Sequence, residues 1–275
     1  MNKINNRYEF TMIFDVENRD FKSDIYSEND ILIDWETGHS VVTDLYLKRK
    51  IRHFVNRTCE GKEQHKILFQ SDKPLGQKYE EAYKVCDLTT GKKGKDASAV
   101  SVVKDYMCRT YYDVRTFGAV MDDSKNPCGS VHGPVQISFA RSFDPVCSQE
   151  QAIPKQLMTK ENGDKNDMNY ALYRVDGFIS ASCAEKTGFS EEDLEILWNA
   201  IVHMFDSVRK AKGKFRMRKL IVFKHANPLG NAPSVRILEN VLIKKKEDVD
   251  IPCKFSDYTI TIKEMPEGIE VIEKL

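Results

Sequence analysis

The chain has 275 residues, of which 41% are hydrophobic and 31% charged, and its 42 Lys and Arg are balanced by 42 Asp and Glu. This is the composition of a folded globular protein, and it excludes a global positive field that would draw in nucleic acid, so any polyanion binding must be local. Seven cysteines stand singly, which fits reduced thiols rather than a disulfide framework or a zinc site. Residues Met1 to Arg7 form no apolar signal core. No window approaches the roughly 18 apolar residues of a membrane span, so the expected location is cytoplasmic.

Tyr8 to Asp15 alternates Tyr8, Phe10, Met12 and Phe14 against Glu9 and Thr11, the period-two pattern of a half-buried first strand. Val16 to His39 is rich in Asp, Asn and Ser and reads as a loop excursion. Thr43 to Phe54 then combines an apolar face with a positive one. Leu47, Ile51, Phe54 and Val55 recur at helical spacing, while Lys48, Arg49 and Arg52 form a cationic stripe. Thr43 or Asp44 supplies the N-cap, and the charge order suits the helix dipole. Lys50 points elsewhere.

From Cys59 to Asp113 the periodicity weakens, and residues 58–113 read as an inserted subdomain with an exposed turn at Gly91 to Asp96. After a turn-rich link at Asp122 to Gly129, Gly133 to Arg141 alternates again. Val135, Ile137 and Phe139 face one way, with Gln136, Ser138 and, if the alternation runs on, Ala140 facing the other. Phe143 to Asn169 contains an Asn-Gly pair at Asn162-Gly163 and predicts a protruding hairpin. Tyr170 to Ser180 is a third strand. Ser190 caps a long helix with Asp193 completing a capping box, and Leu194, Leu197, Trp198, Ile201, Val202, Phe205 and Val208 form its apolar face. Met217 to Lys224 is a fourth strand, and Tyr258–Lys263 with Ile269–Ile272 reads as a terminal strand pair.

Stripped of insertions, the order is strand, helix, strand, strand, helix, strand. That predicts an α+β, ferredoxin-like (RNA-recognition-motif-like) palm in which two helices cover one sheet face and the other is left available for RNA. No phosphate-cradling loop, dinucleotide fingerprint, zinc-protease helix or calcium loop is present, so no cofactor is expected and the chain reads as non-catalytic. Among six scattered histidines, His203 reads as structural, and His53 beside the basic stripe is the more interesting. Asp176-Gly177-Phe178-Ile179 and Arg115-Thr116-Phe117-Gly118-Ala119 faintly echo the aromatic RNA-stacking signature. On motif grounds a glycine relieving crowding beside a core Phe explains them better.

Taken in order, Leu47 to Arg52, Val114 to Ala119, Gly133 to Gln136, Phe139 to Ser142 and Gly177 to Ile179 resemble the backbone subunit of CRISPR Cascade complexes. That is the Cas-seven family of the RAMP superfamily, and the nearest likeness is to its type I-C branch. The resemblance implies a palm with a finger insertion (58–113) and a thumb hairpin (143–169). It implies copies stacking as a filament along crRNA beside other Cascade subunits, with target DNA reached through the guide. By that resemblance Lys48, Arg49 and Arg52 hold guide phosphates and Gln136 and Arg141 lie along the RNA track. Arg115 and Phe117 join as candidate RNA contacts, with Lys155 and Met158 in the thumb and Met158 as the wedge at a displaced base. The family's turn after the first strand is replaced here by Val16 to Phe21. Two rival readings are a metal-independent endoribonuclease acting on precursor guide RNA, and a scaffold that binds proteins only.

Overall fold

The computed structural model describes residues 2–20, 31–34, 36–70, 72–88, 96–146, 167–206 and 214–275. Strand β1 (Tyr8–Asp20) runs on through the segment expected to be loop, because its partners on both sides continue the ladder to Glu17. Short strands β2 (Ile31–Ile33) and β3 (Ser40–Val42) lead into helix α1 (Asp44–Thr58). The Thr43 hydroxyl accepts from the Tyr46 N–H, and the residues buried are Tyr46, Leu47, Ile51, Phe54 and Val55, as the amphipathic spacing requires.

The insertion is helical. It contains α2 (Leu75–Val85), α3 (Ala97–Thr110), α4 (Tyr112–Phe117) and a hairpin of β4 (Gly118–Met121) with β5 (Gly129–His132). These close on a second core that includes Leu68, Tyr83, Val103, Met107, Met121 and Val131, so it reaches past residue 113, where the insertion was expected to end.

The chain returns to the palm as β6 (Val135–Ile137) and β7 (Ala140–Ser142), followed by β8 (Asp167–Ile179). After α5 (Ala181–Thr187) comes α6 (Glu191–His203), where Ser190 and Asp193 form the expected capping box, and then β9 (Lys214–His225). The C-terminal segment adds α7 (Ser234–Leu238), β10 (Val241–Lys245), β11 (Tyr258–Ile262) and β12 (Ile269–Glu273).

In the large sheet the order is β12-β9-β1-β8-β7-β3-β2, with β6 also against β8. Its middle, β9-β1-β8 and β6/β7, is antiparallel throughout and places the fourth, first, third and second palm strands side by side, the split βαβ plan. Helices α1 and α6 share one core with Phe10, Phe14, Tyr173 and Leu220 on one sheet face. Gly177 is needed there: a Cβ on it would sit 2.1 Å from Cζ of Phe10.

Two expectations fail on the other face. It is not open at its centre, because the C-terminal segment packs over it: Ile13, Tyr170 and Leu172 meet Ile243 and Tyr258, and Ile221 and Phe223 meet Ile237 and Val241. The terminal strands do not pair with each other either; β11 pairs with β10, and β12 with β9. The polar β1 residues on this face are buried with partners. Glu9 takes hydrogen bonds from His225 and Ser234 and an ion pair from Arg7, and Thr11 donates to Asp176 at 2.7 Å. Asp15 accepts from Arg218 Nε at 2.8 Å and from the Tyr170 hydroxyl at 3.1 Å. Burial pushes its carboxyl up while Arg218 pulls it down, and burial prevails.

The strand expected over Gly133–Arg141 is interrupted. Ile137 lies opposite Gly177 and Arg141 opposite Arg174, so four steps along β6–β7 match three along β8. One residue is extra. The Ser138 N–H still reaches Asp176 O at 2.9 Å in the register of β6, and the bulge therefore falls on Phe139. As a result Ile137 and Ala140 both enter the helix-side core, against the alternation that put Ala140 on the polar side. Phe139, expected beside Val135 and Ile137 in the core, is instead 61% exposed.

Candidate nucleic-acid interface

The cationic stripe of α1 divides. Lys48 pairs with Asp44 at 2.8 Å, and its ammonium lies 5.8 Å from the centre of the Phe117 ring. Arg52 donates through Nε to Asp113 at 3.0 Å and packs between Phe69 and Phe117, 5.1 and 5.4 Å from the ring centres. Asp113 is fully buried and also accepts from the N–H groups of Leu68 and Phe69, at 2.8 and 3.2 Å. Lys48 and Arg52 therefore clamp the insertion to the palm rather than standing on an open surface. Arg49 lies on the outer stripe with Leu45, His53 and Arg57, all exposed.

Arg115 and Phe117 are also placed inward, at 3% and 7% exposure, which corrects their assignment as surface contacts. The Arg115 guanidinium holds both oxygens of Asp193, at 2.9 and 2.7 Å, and donates to Gln64 O at 2.6 Å. Burial pushes the Asp193 carboxyl up, but the His65 ring, Arg115 and the Ser190 N–H outweigh it and hold it at about 2. Asp193 thus does two things at once: it caps α6 and anchors α4. The sequence showed the first role and gave no local sign of the second.

Gln136 and Arg141 remain exposed, on the sheet side away from α1 and α6. The Gln136 amide donates to Gly133 O at 3.1 Å. Gly133 marks the point where the insertion rejoins the palm, and a Cβ there would lie 2.3 Å from the Gly118 nitrogen. Arg141 pairs with Asp34 at 3.2 Å and donates to the Thr37 hydroxyl at 3.1 Å, while its cross-strand neighbour Arg174 is turned onto the carbonyls of Val241 and Leu238. The α1 stripe and the Gln136–Arg141 row consequently project from opposite sides of the sheet, and the structure does not bring them into one site. Lys155 and Met158, with most of the expected thumb, lie outside the described residues.

The polar row at the β6–β7 rim contains groups suited to an anionic, base-bearing polymer: one guanidinium, an amide, the Ser138 hydroxyl and the outward Phe139 ring. Among the described residues, no helix is long and apolar enough to cross a membrane.

A family model described as CRISPR-associated protein Cas7 matches residues 6–263. No curated protein matches the chain. Among solved structures, a chain of the Csm3–Csm4 subcomplex of the type III-A CRISPR-Cas interference complex is 12% identical, with 81% of this chain and 80% of that one covered at a TM-score of 0.37. A chain of a CRISPR RNA-guided surveillance complex described as pre-nicking is 13% identical, covering 79% and 75% at 0.41. A chain of another such surveillance complex is 10% identical, covering 78% and 75% at 0.40.

Proposed function

The chain belongs to the CRISPR-associated Cas7 family, and from that premise we propose that it is a non-catalytic, crRNA-binding backbone subunit of a type I CRISPR effector complex in the cytoplasm. Copies stack along the guide and, with the other Cascade subunits, present it to target DNA. The observation that supports this beyond family membership is the β6–β7 rim, where Gln136, Ser138 and Arg141 turn polar groups away from the core at an uncovered part of the sheet. Arg49 on α1 is the second proposed phosphate contact. Lys48 and Arg52 contribute by holding the insertion in place.

The test is binding of a labelled crRNA by the purified chain across a salt series. Each phosphate contact on a single strand adds about 0.7 to the slope of log affinity against log salt, so Arg141→Ala should weaken binding and lower the slope by about that amount. Absence of RNA binding even at low salt overturns the assignment. Incubation of the chain alone with repeat RNA and a chelator addresses catalysis, and specific cleavage there overturns the non-catalytic part.

A further inference from the structure

We propose that Phe139 is a stacking platform for a base of single-stranded RNA and that Arg141 contacts the phosphate beside it; this rests on the reading of the chain as an RNA-binding subunit. The first ground is the bulge. A regular strand from Val135 to Arg141 would bury Phe139 beside Val135 and Ile137. The extra residue instead leaves a whole phenyl ring 61% exposed while β6 before it and β7 after it keep their ladders with β8. Bulges of this kind re-aim a side chain at a functional position, and here the only large side chain re-aimed is an aromatic one.

The second ground is what surrounds the ring. Ser138 is engaged in both directions with Asp176, its N–H donating at 2.9 Å and its hydroxyl accepting the Asp176 N–H at 3.2 Å, so the backbone under the bulge is fixed. Gln136 and Arg141 flank it on the exposed side. A protein partner would call for a contiguous apolar centre with a polar rim, whereas a base needs one π-face with a cation near its phosphate. Gln136, Ser138 and Arg141 put an amide, a hydroxyl and a guanidinium on the ring's own stretch of strand, and Phe178, cross-strand from Gln136, adds a second aromatic side chain to that face, company that suits a nucleotide.

The third ground is Arg141. Among the described residues both its hydrogen bonds leave from Nη2, to Asp34 Oδ2 at 3.2 Å and Thr37 Oγ1 at 3.1 Å. These fix the direction of the guanidinium and leave Nε and Nη1 for an anion. Two residues of extended chain separate it from Phe139, about 7 Å, which suits a base on the ring and its own or the next phosphate on the guanidinium. Stacking of this kind tolerates every base, so the platform would not discriminate among RNA sequences.

The experiment uses the full chain with a fluorescein-labelled 20-nucleotide oligouridine and a second oligomer of equal length whose sugars are all abasic. Fluorescence anisotropy gives the affinity at several salt concentrations. Phe139→Ala should bind oligouridine about tenfold more weakly with an unchanged salt slope, and Phe139→Trp should restore wild-type affinity. On the abasic oligomer, wild type and Phe139→Ala should bind alike. Equal affinity of Phe139→Ala and wild type for oligouridine, or an equal loss on both oligomers, overturns the stacking role. A variant that keeps wild-type RNA affinity but changes its elution volume on a sizing column overturns it in favour of a protein contact. If the wild-type chain binds neither oligomer, the RNA-binding reading fails, and that outcome is distinct from loss in the variant alone.

Discussion

Replacing Asp193 by Ala should destabilise the protein more than any surface change, because it removes the counter-charge of a buried guanidinium and the second half of a helix cap. Breaking a buried ion pair by deleting one partner costs about 3–5 kcal/mol, and losing a cap costs about 1. The two share an atom, Oδ2, which accepts from both Arg115 and the Ser190 N–H, so a total of about 4 kcal/mol is reasonable. For a chain of this size that corresponds to a fall in Tm of about 10 °C, readable by circular dichroism. The matching double variant, Arg115→Met with Asp193→Leu, should recover most of the loss, since apolar side chains of similar volume replace a buried pair at little cost. Acid should reproduce part of the effect. The folded carboxyl sits at about 2 against an ordinary 3.8, a difference worth about 2 kcal/mol. Because the folded value is the lower one, that stability is complete above pH ~4 and is lost as pH falls from there through ~2. A Tm within 2 °C of wild type for Asp193→Ala, or a double variant less stable than the single one, would refute the argument.

Arg52→Met should lower stability by about 3 kcal/mol in urea titration by leaving Asp113 buried without its cation, yet change crRNA affinity less than twofold. A large loss of affinity with unchanged stability would return Arg52 to the RNA surface. Gly177→Ala should cost about 2 kcal/mol, because the added methyl falls within 2.1 Å of the Phe10 ring, and Phe10→Leu in the same chain should relieve part of it. An unchanged urea midpoint for Gly177→Ala would show that the ring can move aside.

The parts of the fold legible in sequence are those with a local period or a local cap. Helix α6 was readable because Ser190 and Asp193 are three residues apart, and α1 because Thr43 precedes an unbroken apolar stripe. Signals for the insertion were present but weak: Tyr79, Ala82 and Tyr83 in α2, and Val103 and Met107 in α3, stand at helical spacing on a mostly polar background. The cover over the second sheet face was not legible. Glu9, Thr11 and Asp15 alternate with apolar residues as solvent-facing positions do, and only their distant partners, His225, Asp176 and Arg218, show that they are buried. The bulge at Phe139 was equally hidden, since an inserted residue leaves an alternating pattern looking continuous.

The same reasoning explains why a cationic stripe misled about the site. Charge on a helix flank looks alike whether it meets solvent or a carboxylate from another element, and on α1 the flank carrying Lys48 and Arg52 is the one the insertion covers. Neutral composition is repeated pair by pair: Arg52 with Asp113, Arg115 with Asp193, Arg216 with Glu17 and Arg218 with Asp15. These four guanidiniums are committed to carboxylates, and with Arg141 as the one cation proposed for the Gln136–Arg141 row, a single copy should grip RNA weakly through that row. A row such as Gln136 to Arg141 becomes strong only by repetition, because counterion release adds across copies that share one strand. It follows that the salt slope for crRNA should grow with the number of copies loaded, while the slope per copy stays small.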